Sequence, residues 1–381
     1  MTRRSSIGFY FFIIAISFAQ NTSGQKKSLD FISIKSNPAT IVKNQENTGT
    51  CWSFSTTSLI ESQALQNNFG NFDLSEMFTV RNIYVEKAKN YIHRQGHAQF
   101  SEGGLGHDVI RSVAAYGILP ESAYAGLANG QKTYDHGEMF KKLKGYLDRV
   151  IATAGTNPIS SDWLPEYNKI LDTYLGILPE RFQYNNKAYT PIEFSSEVLK
   201  FKAEDYVNIT SFTDHDYYKP FIIEVPDNFS NGAYYNMPLK EMISLAENAI
   251  ENGYTVLWDA DVSNNGFRSK KGLALYLNAG VDINEDDLKA DVQEEKWDAQ
   301  IRQDLYENLT TQDDHLMHIV GLEKTSDGKL FFLVKNSWGK NGPYQGYINV
   351  SEAYFAINTI SLVVPKAAMN KVVLDKLKIG K

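Results

Sequence analysis

The chain of 381 residues contains one cysteine, Cys51. A lone thiol cannot form an intramolecular disulfide, and zinc sites normally need several cysteine or histidine ligands. The sequence also lacks basic runs and carries a formal net charge of −7, which argues against a nucleic-acid partner. The remaining composition, 43% hydrophobic and 22% charged, is typical of a globular chain that forms one large domain or two smaller ones.

An apolar run from Ile7 to Ala19 lies near the N-terminus, after Arg3 and Arg4. The run is shorter than the roughly 20 apolar residues that a membrane span needs. It ends in Ser17-Phe18-Ala19, with small residues at the two positions that determine cleavage. The pattern predicts a signal peptide over residues 1–19 and a secreted or periplasmic protein. We expect residues 20–37 to be a polar, flexible segment.

Helical patterns dominate the first part of the chain after that segment. A polar turn over Asn47–Thr50 predicts a helix from near Thr50 to about Asn67. Asp73-Leu74-Ser75-Glu76 begins a second helix, and residues 106–116 form a third that ends at Gly117. Amphipathic stretches within about 130–205 predict a helical insertion.

From about residue 206 to about 365 the pattern turns toward strands, with one helix over Pro238–Asn252. Tyr254–Val262 alternates like a half-buried strand, and residues 263–312 are charged and irregular. Asp259 and Asp261 on the predicted strand have no partner carboxylate at matched spacing, so we expect them to line a cleft wall. The sequence thus predicts an α+β protein with a helical lobe and a β lobe.

A β-hairpin is the clearest local prediction near the C-terminus. His318–Leu322 and Leu330–Val334 are apolar and flank the turn Thr325-Ser326-Asp327-Gly328. With a four-residue connection, residue numbers of opposed positions sum to about 653. His318 then faces Lys335, which precedes Asn336. We therefore predict that His318 and Asn336 meet at the open end of the hairpin.

These residues fit nucleophilic catalysis. Cys51 lies in the first turn of a predicted helix, where the dipole and free N–H groups favour the thiolate. His318 is the predicted base, and Asn336 orients its ring. The side-chain amide of Gln45 is placed to bind an oxyanion together with the Cys51 backbone N–H. His315 is a rival base, but it lies outside the predicted hairpin beside two aspartates and is interpreted as a solvated loop residue.

Five short segments occur in one order along the chain: Gln45–Phe54, Leu74-Ser75-Glu76, Gly103-Gly104, Lys335–Gly339 and Gly346-Tyr347-Ile348. Together they resemble papain-like cysteine peptidases, in the order of that family. The resemblance implies that Gly103 and Gly104 hydrogen-bond the substrate backbone through their own backbone atoms. It further implies that Trp338 shields the bond between histidine and asparagine, with Trp52 as a second supporting residue.

The helical insertion, the strand around Trp258 and the segment Ile360–Pro365 are most similar to the bleomycin hydrolase and aminopeptidase C branch. That branch commonly ends in a Pro- and Trp-containing tail whose carboxylate lies in the cleft and holds the free amine of the substrate. This sequence ends in Lys378-Ile379-Gly380-Lys381 instead. The resemblance implies a two-lobed papain-like fold over residues 38–381 and a peptidase that acts on peptides without a metal or organic cofactor. Aminopeptidase activity is favoured; an endopeptidase, an acyltransferase and an idle peptide-binding protein are the alternatives.

Overall fold

The computed structural model describes residues 31–380, except 129, 155–157, 279, 281–283 and 285–287. The predicted signal peptide over 1–19 lies outside these residues. Among the helices of the described ranges, none is long and apolar enough to cross a membrane.

Helices form the first lobe and bury one continuous apolar core. The predicted third helix matches the structure, because Gly117 adopts a φ of 76° and ends it. Ser75 begins the second helix by accepting a hydrogen bond from the Phe78 N–H. The helices of this lobe are α1 (Cys51–Gln66), α2 (Glu76–His93), α3 (Gly106–Tyr116), α4 (Gly137–Ala152), α5 (Trp163–Leu175) and the short α6 (Pro191–Glu193).

A large mixed sheet forms the second lobe. Its core also includes α7 (Leu239–Glu251), α9 (Glu352–Asn358) and α10 (Lys371–Leu377). A separate small hairpin joins β2 (Phe182–Tyr184) to β3 (Lys187–Tyr189). The strands of the large sheet are β1 (Ile32–Ser36), β4 (Tyr206–Thr210), β5 (Pro220–Ile222), β6 (Ala233–Asn236), β7 (Val256–Ala260), β8 (Phe267–Arg268), β9 (Leu273–Ala274), β10 (His315–Lys324), β11 (Leu330–Lys335), β12 (Tyr347–Ser351) and β13 (Thr359–Pro365).

Strands β7 and β10 lie where the two lobes meet. The predicted hairpin pairs β10 with β11, and His318 opposes Lys335 as expected. The start of β10 pairs with β7, and Asp259 opposes Leu316. β7 is fully buried rather than half-buried, because Leu257 packs into the helical core while Trp258 packs into the sheet core. The α+β fold class is therefore confirmed.

Two segments differ from the sequence prediction. Residues Ile32–Ser36, expected to be flexible, form β1 and pair with β10. The irregular region 263–312 contains a helix, α8 (Ala299–Glu307), begun by the Asp298 side chain. The buried Arg302 of α8 donates to the carbonyls of Ser211, Ala356 and Ile357, so the helix is fixed by contacts distant in sequence.

Candidate active site

Helix α1 begins at Cys51, whose side chain is only 8% exposed. Burial raises the pKa of the Cys51 thiol to about 12, while a hydrogen bond with the Leu316 backbone opposes that rise. Desolvation therefore opposes the thiolate that the position at the helix N-terminus favours. The Leu316 contact places the thiol beside the start of β10. Within the described residues, no hydrogen bond joins Cys51 to the His315 ring.

His315, the first residue of β10, is the histidine that contacts Asn336. Its Nε2 lies 2.7 Å from Asn336 Oδ1, and the ring is buried. Burial lowers the pKa of His315 to about 4, although the bond to Asn336 favours the protonated ring. The imidazole is therefore neutral at physiological pH.

The hydrogen bonds around Asn336 also determine which ring nitrogen of His315 carries the proton. Asn336 Oδ1 accepts from the Ser337 backbone N–H at 2.7 Å. An oxygen in that position makes His315 Nε2 the donor of the second bond. His315 Nδ1 is then the unprotonated nitrogen, which is the form that a general base requires.

Trp338 covers this pair. Its ring lies 4.5 Å from the His315 ring, centroid to centroid, with an angle of 30° between the planes. The stacked indole restricts the imidazole and keeps water from its bond to Asn336. The arrangement corresponds to the shielding expected of Trp338, but the histidine that it covers is His315.

The prediction that Asn336 orients His318 is wrong. His318 is fully buried on the opposite face of β10, and its Nδ1 lies 2.9 Å from Ser58 Oγ. Ser58 also accepts a hydrogen bond from Lys335 Nζ at 2.7 Å. Burial lowers the pKa of His318, and the nearby Lys335 ammonium lowers it further. Ser58 is seven residues beyond Cys51, roughly 10 Å along the helix, so His318 belongs to a buried polar cluster away from the thiol.

Gln45 connects the loop before α1 to the segment that carries Asn336. Its Oε1 accepts from Ser337 Oγ at 2.6 Å, and its backbone N–H donates to the Ser337 carbonyl at 2.8 Å. Gln45 Nε2 donates to the Thr48 carbonyl at 2.7 Å. A primary amide has a second N–H donor, which the bond to Thr48 leaves unused.

Gly103 and Gly104 lie opposite the start of α1. Trp52 is fully buried and donates from Nε1 to the Glu102 carbonyl at 3.0 Å. A Cβ on Gly104 would lie 3.1 Å from the Trp52 ring. A Cβ on Gly103 would lie 1.7 Å from a carboxylate oxygen of Asp227. A side chain at position 103 would therefore have to displace the Asp227 carboxylate, whereas one at position 104 would make a tight contact with the Trp52 ring.

Sequence and structure comparisons agree with this arrangement. The family model described as "Peptidase C1-like family" matches residues 15–380. Aminopeptidase W from Lactobacillus delbrueckii subsp. lactis is 24% identical, with 88% of this chain and 83% of the relative covered. Bleomycin hydrolase from Gallus gallus is 25% identical, with 85% and 80% covered.

The crystal structure of PepW from Lactobacillus rhamnosis HN001 superposes with a TM-score of 0.70 at 20% identity. The match covers 92% of this chain and 85% of that one, and it shows that the folds agree. The predicted papain-like architecture is therefore confirmed. Because the family model spans nearly the whole sequence, this chain belongs to the Peptidase C1-like family.

Proposed function

We propose that this chain hydrolyses peptide bonds with Cys51 as nucleophile, His315 as general base and Asn336 as the residue that orients His315. The hydrogen bond between His315 Nε2 and Asn336 Oδ1 carries the proposal. It leaves Nδ1 as the proton acceptor, on a residue whose chain neighbour Leu316 contacts the thiol.

The reaction follows from these positions. His315 Nδ1 takes the thiol proton as Cys51 Sγ attacks the peptide carbonyl carbon. The spare N–H of Gln45 and the Cys51 backbone N–H bind the oxyanion. The imidazolium then protonates the leaving amine, the C–N bond breaks, and a thioester remains on Cys51. Water, deprotonated by His315, attacks the thioester; the C–S bond breaks and the proton returns to sulfur.

Aminopeptidase activity is the favoured form of this reaction, supported by the names of the relatives. In this chain α10 packs on α7, where Lys376 Nζ donates to Glu241 at 2.9 Å and Leu377 is buried. The described residues 371–380 therefore lie against the β lobe. The restriction to free N-termini must come from groups other than these.

A pair of Cys51 variants tests the proposal. Cys51→Ala should fold normally and lose all hydrolysis of an aminoacyl-coumarin amide, because no thioester can form. Cys51→Ser is the matched control for side-chain size, and it should retain the melting temperature of the parent. Hydrolysis by Cys51→Ala at a rate comparable to the parent would contradict the assignment.

We also propose that the protein is exported. The support is the basic start and apolar run of residues 3–19, which end in a small-residue cleavage pattern. N-terminal sequencing of the mature protein should begin at Gln20. A mature chain that still begins at residue 1 or 2 would contradict export by cleavage.

A further inference from the structure

The loop over residues 224–232, between β5 and β6, lies across Gly103. The Asp227 carboxylate accepts hydrogen bonds from Ser101 Oγ at 3.0 Å and Gln99 Nε2 at 3.2 Å. It occupies the space in front of the Gly103 Cα, where any side chain would collide with it. Asp227 is thus fixed on the glycine that is expected to contact the substrate backbone.

The loop is held in place by internal contacts. Asn228 donates to the carbonyls of Ile223 and Gly232 at 2.9 and 3.0 Å, and it accepts from the Gly232 N–H at 2.8 Å. Ser230 Oγ lies 2.8 Å from His107 Nε2 and donates to Asp108 at 2.7 Å. These hydrogen bonds hold residues 224–232, and with them Asp227, in one position.

Two further carboxyl groups converge beside Asp227. Asp259 of β7 is 1% exposed; its Oδ2 accepts from Ser361 Oγ at 3.0 Å, while its Oδ1 has no hydrogen-bond donor. Asp313 Oδ2 is also buried without a donor. The Asp259 and Asp313 carboxyls contact each other, and the Asp227 backbone bonds to Asp313. All three aspartates add to the rise in the pKa of Cys51, so the cluster lies close to the nucleophile.

A cation, Lys87, lies beside this cluster. Its ammonium donates to the Ser101 carbonyl at 2.8 Å, to Ser101 Oγ and to the Gly103 carbonyl. Burial lowers the pKa of Lys87, although the surrounding carboxylates favour its charged form. In the described ranges Asp227, Asp259 and Asp313 have no ion pair within 4.0 Å. A buried carboxyl group without a cation avoids the cost of a buried charge by taking up a proton. Burial raises the pKa of both Asp259 and Asp313, and the contact between them lets one proton be shared by the pair, which leaves Asp227 as the carboxylate that faces Gly103.

We propose that Asp227 closes the substrate cleft one residue before the scissile bond and binds the free α-ammonium group of the peptide. The α-ammonium group offers three N–H donors and one positive charge, which complement the carboxylate of Asp227. A longer or blocked N-terminus would have to displace Asp227 from Gly103. This inference rests on the peptidase function proposed above and identifies the residue that restricts it to free N-termini.

Two variants at Asp227 distinguish the effect of its negative charge from its steric blocking of the cleft. The substrates are alanyl-coumarin amide and its N-acetyl form. Asp227→Asn keeps the shape and removes the charge, so KM for the free-amine substrate should rise at least tenfold with kcat nearly unchanged, while the acetylated substrate remains rejected. Asp227→Ala also opens the cleft, so the acetylated substrate should now be cleaved and the preference between the two should fall at least tenfold.

Glu224→Ala is the matched control, since Glu224 is an exposed acid in the same loop. Its substrate preference should equal that of the parent. If both Asp227 variants keep the parent's preference while hydrolysis still depends on Cys51, the inference is overturned. Hydrolysis that does not depend on Cys51 would instead overturn the proposed function. Should Asp227→Ala fail to fold, the KM of Asp227→Asn decides the question.

Discussion

His315 and His318 lie three residues apart on β10, yet the surroundings of His315 suit a general base and those of His318 do not. His315 bonds to an amide oxygen beneath Trp338, which leaves its second nitrogen free for a proton from the thiol. His318 faces Ser58 and the Lys335 ammonium. A cation there opposes protonation of the ring, so His318 is unsuited to the role of base. The comparison shows that the face of a strand, rather than proximity in sequence, determines which histidine serves catalysis.

The largest expected effect is at His315 itself. His315→Ala should lower kcat/KM for alanyl-coumarin amide by about 100- to 10,000-fold, because general-base catalysis contributes that much. The fold should be retained, as judged by circular dichroism. A kcat/KM within threefold of the parent would show that His315 takes no part in proton transfer.

Asn336→Ala should have the next largest effect. Loss of its oxygen releases the His315 ring and its tautomer, and a misplaced catalytic group can reduce the rate by about 100-fold. The loss should appear in kcat more than in KM, because Asn336 does not contact the substrate. Ser58→Ala is the matched control on the other histidine, and its kcat should match that of the parent.

The pH dependence of kcat/KM tests the burial of His315 and has a smaller expected effect. A base must be neutral, and burial lowers the pKa of His315 to about 4. Activity should therefore persist as pH falls from 7 and should decline only as pH approaches 4, provided the protein remains folded. At about pH 5.5 nearly all of the ring is neutral, whereas an ordinary histidine with a pKa of about 6.5 would be roughly one-tenth neutral. An acid limb centred near 6.5 would contradict the burial of His315.

Among these variants, His318→Asn should change activity least, and its main effect should be on the free energy of unfolding. Truncation of His318 breaks the bond to Ser58 in a buried cluster, which should reduce the free energy of unfolding by about 1–3 kcal/mol. The activity per folded molecule should stay within about twofold of the parent. Urea denaturation and active-site titration with iodoacetamide measure the two quantities separately. A large loss of kcat in a fully folded variant would reassign the base to His318.

The sequence predicted the register at the open end of the hairpin, although a bulge between Ile319 and Gly321 shifts the pairing by one residue nearer the turn. It missed what this register implies for the two faces of β10. Opposed positions whose residue numbers sum to 653 include His318 and Lys335, and these two are paired in the structure. In the same register Asn336 opposes Met317, and alternation places residue 315 on the face of residue 317. The alternation of strand faces therefore favours His315 as the partner of Asn336. Because two aspartates precede His315, its local sequence instead indicates a residue of a solvated loop.

Other features depended on contacts that a single sequence does not reveal. The start of α1 and the end of α3 were predictable because a polar turn and Gly117 mark them locally. Helix α8 was not, because Arg302 makes its hydrogen bonds to three distant carbonyls. The cluster around Asp227 likewise combines three segments of the chain, and only the expectation that Asp259 lines a cleft wall pointed toward it.

Chemical rescue tests the central claim most directly. In His315→Gly the deleted ring leaves a space beneath Trp338 that free imidazole can enter. The account predicts that added imidazole restores hydrolysis to His315→Gly in a saturable manner, and that it restores none to Cys51→Ala. Rescue of an inactive His318→Gly, with no response of His315→Gly at any imidazole concentration, would contradict the account.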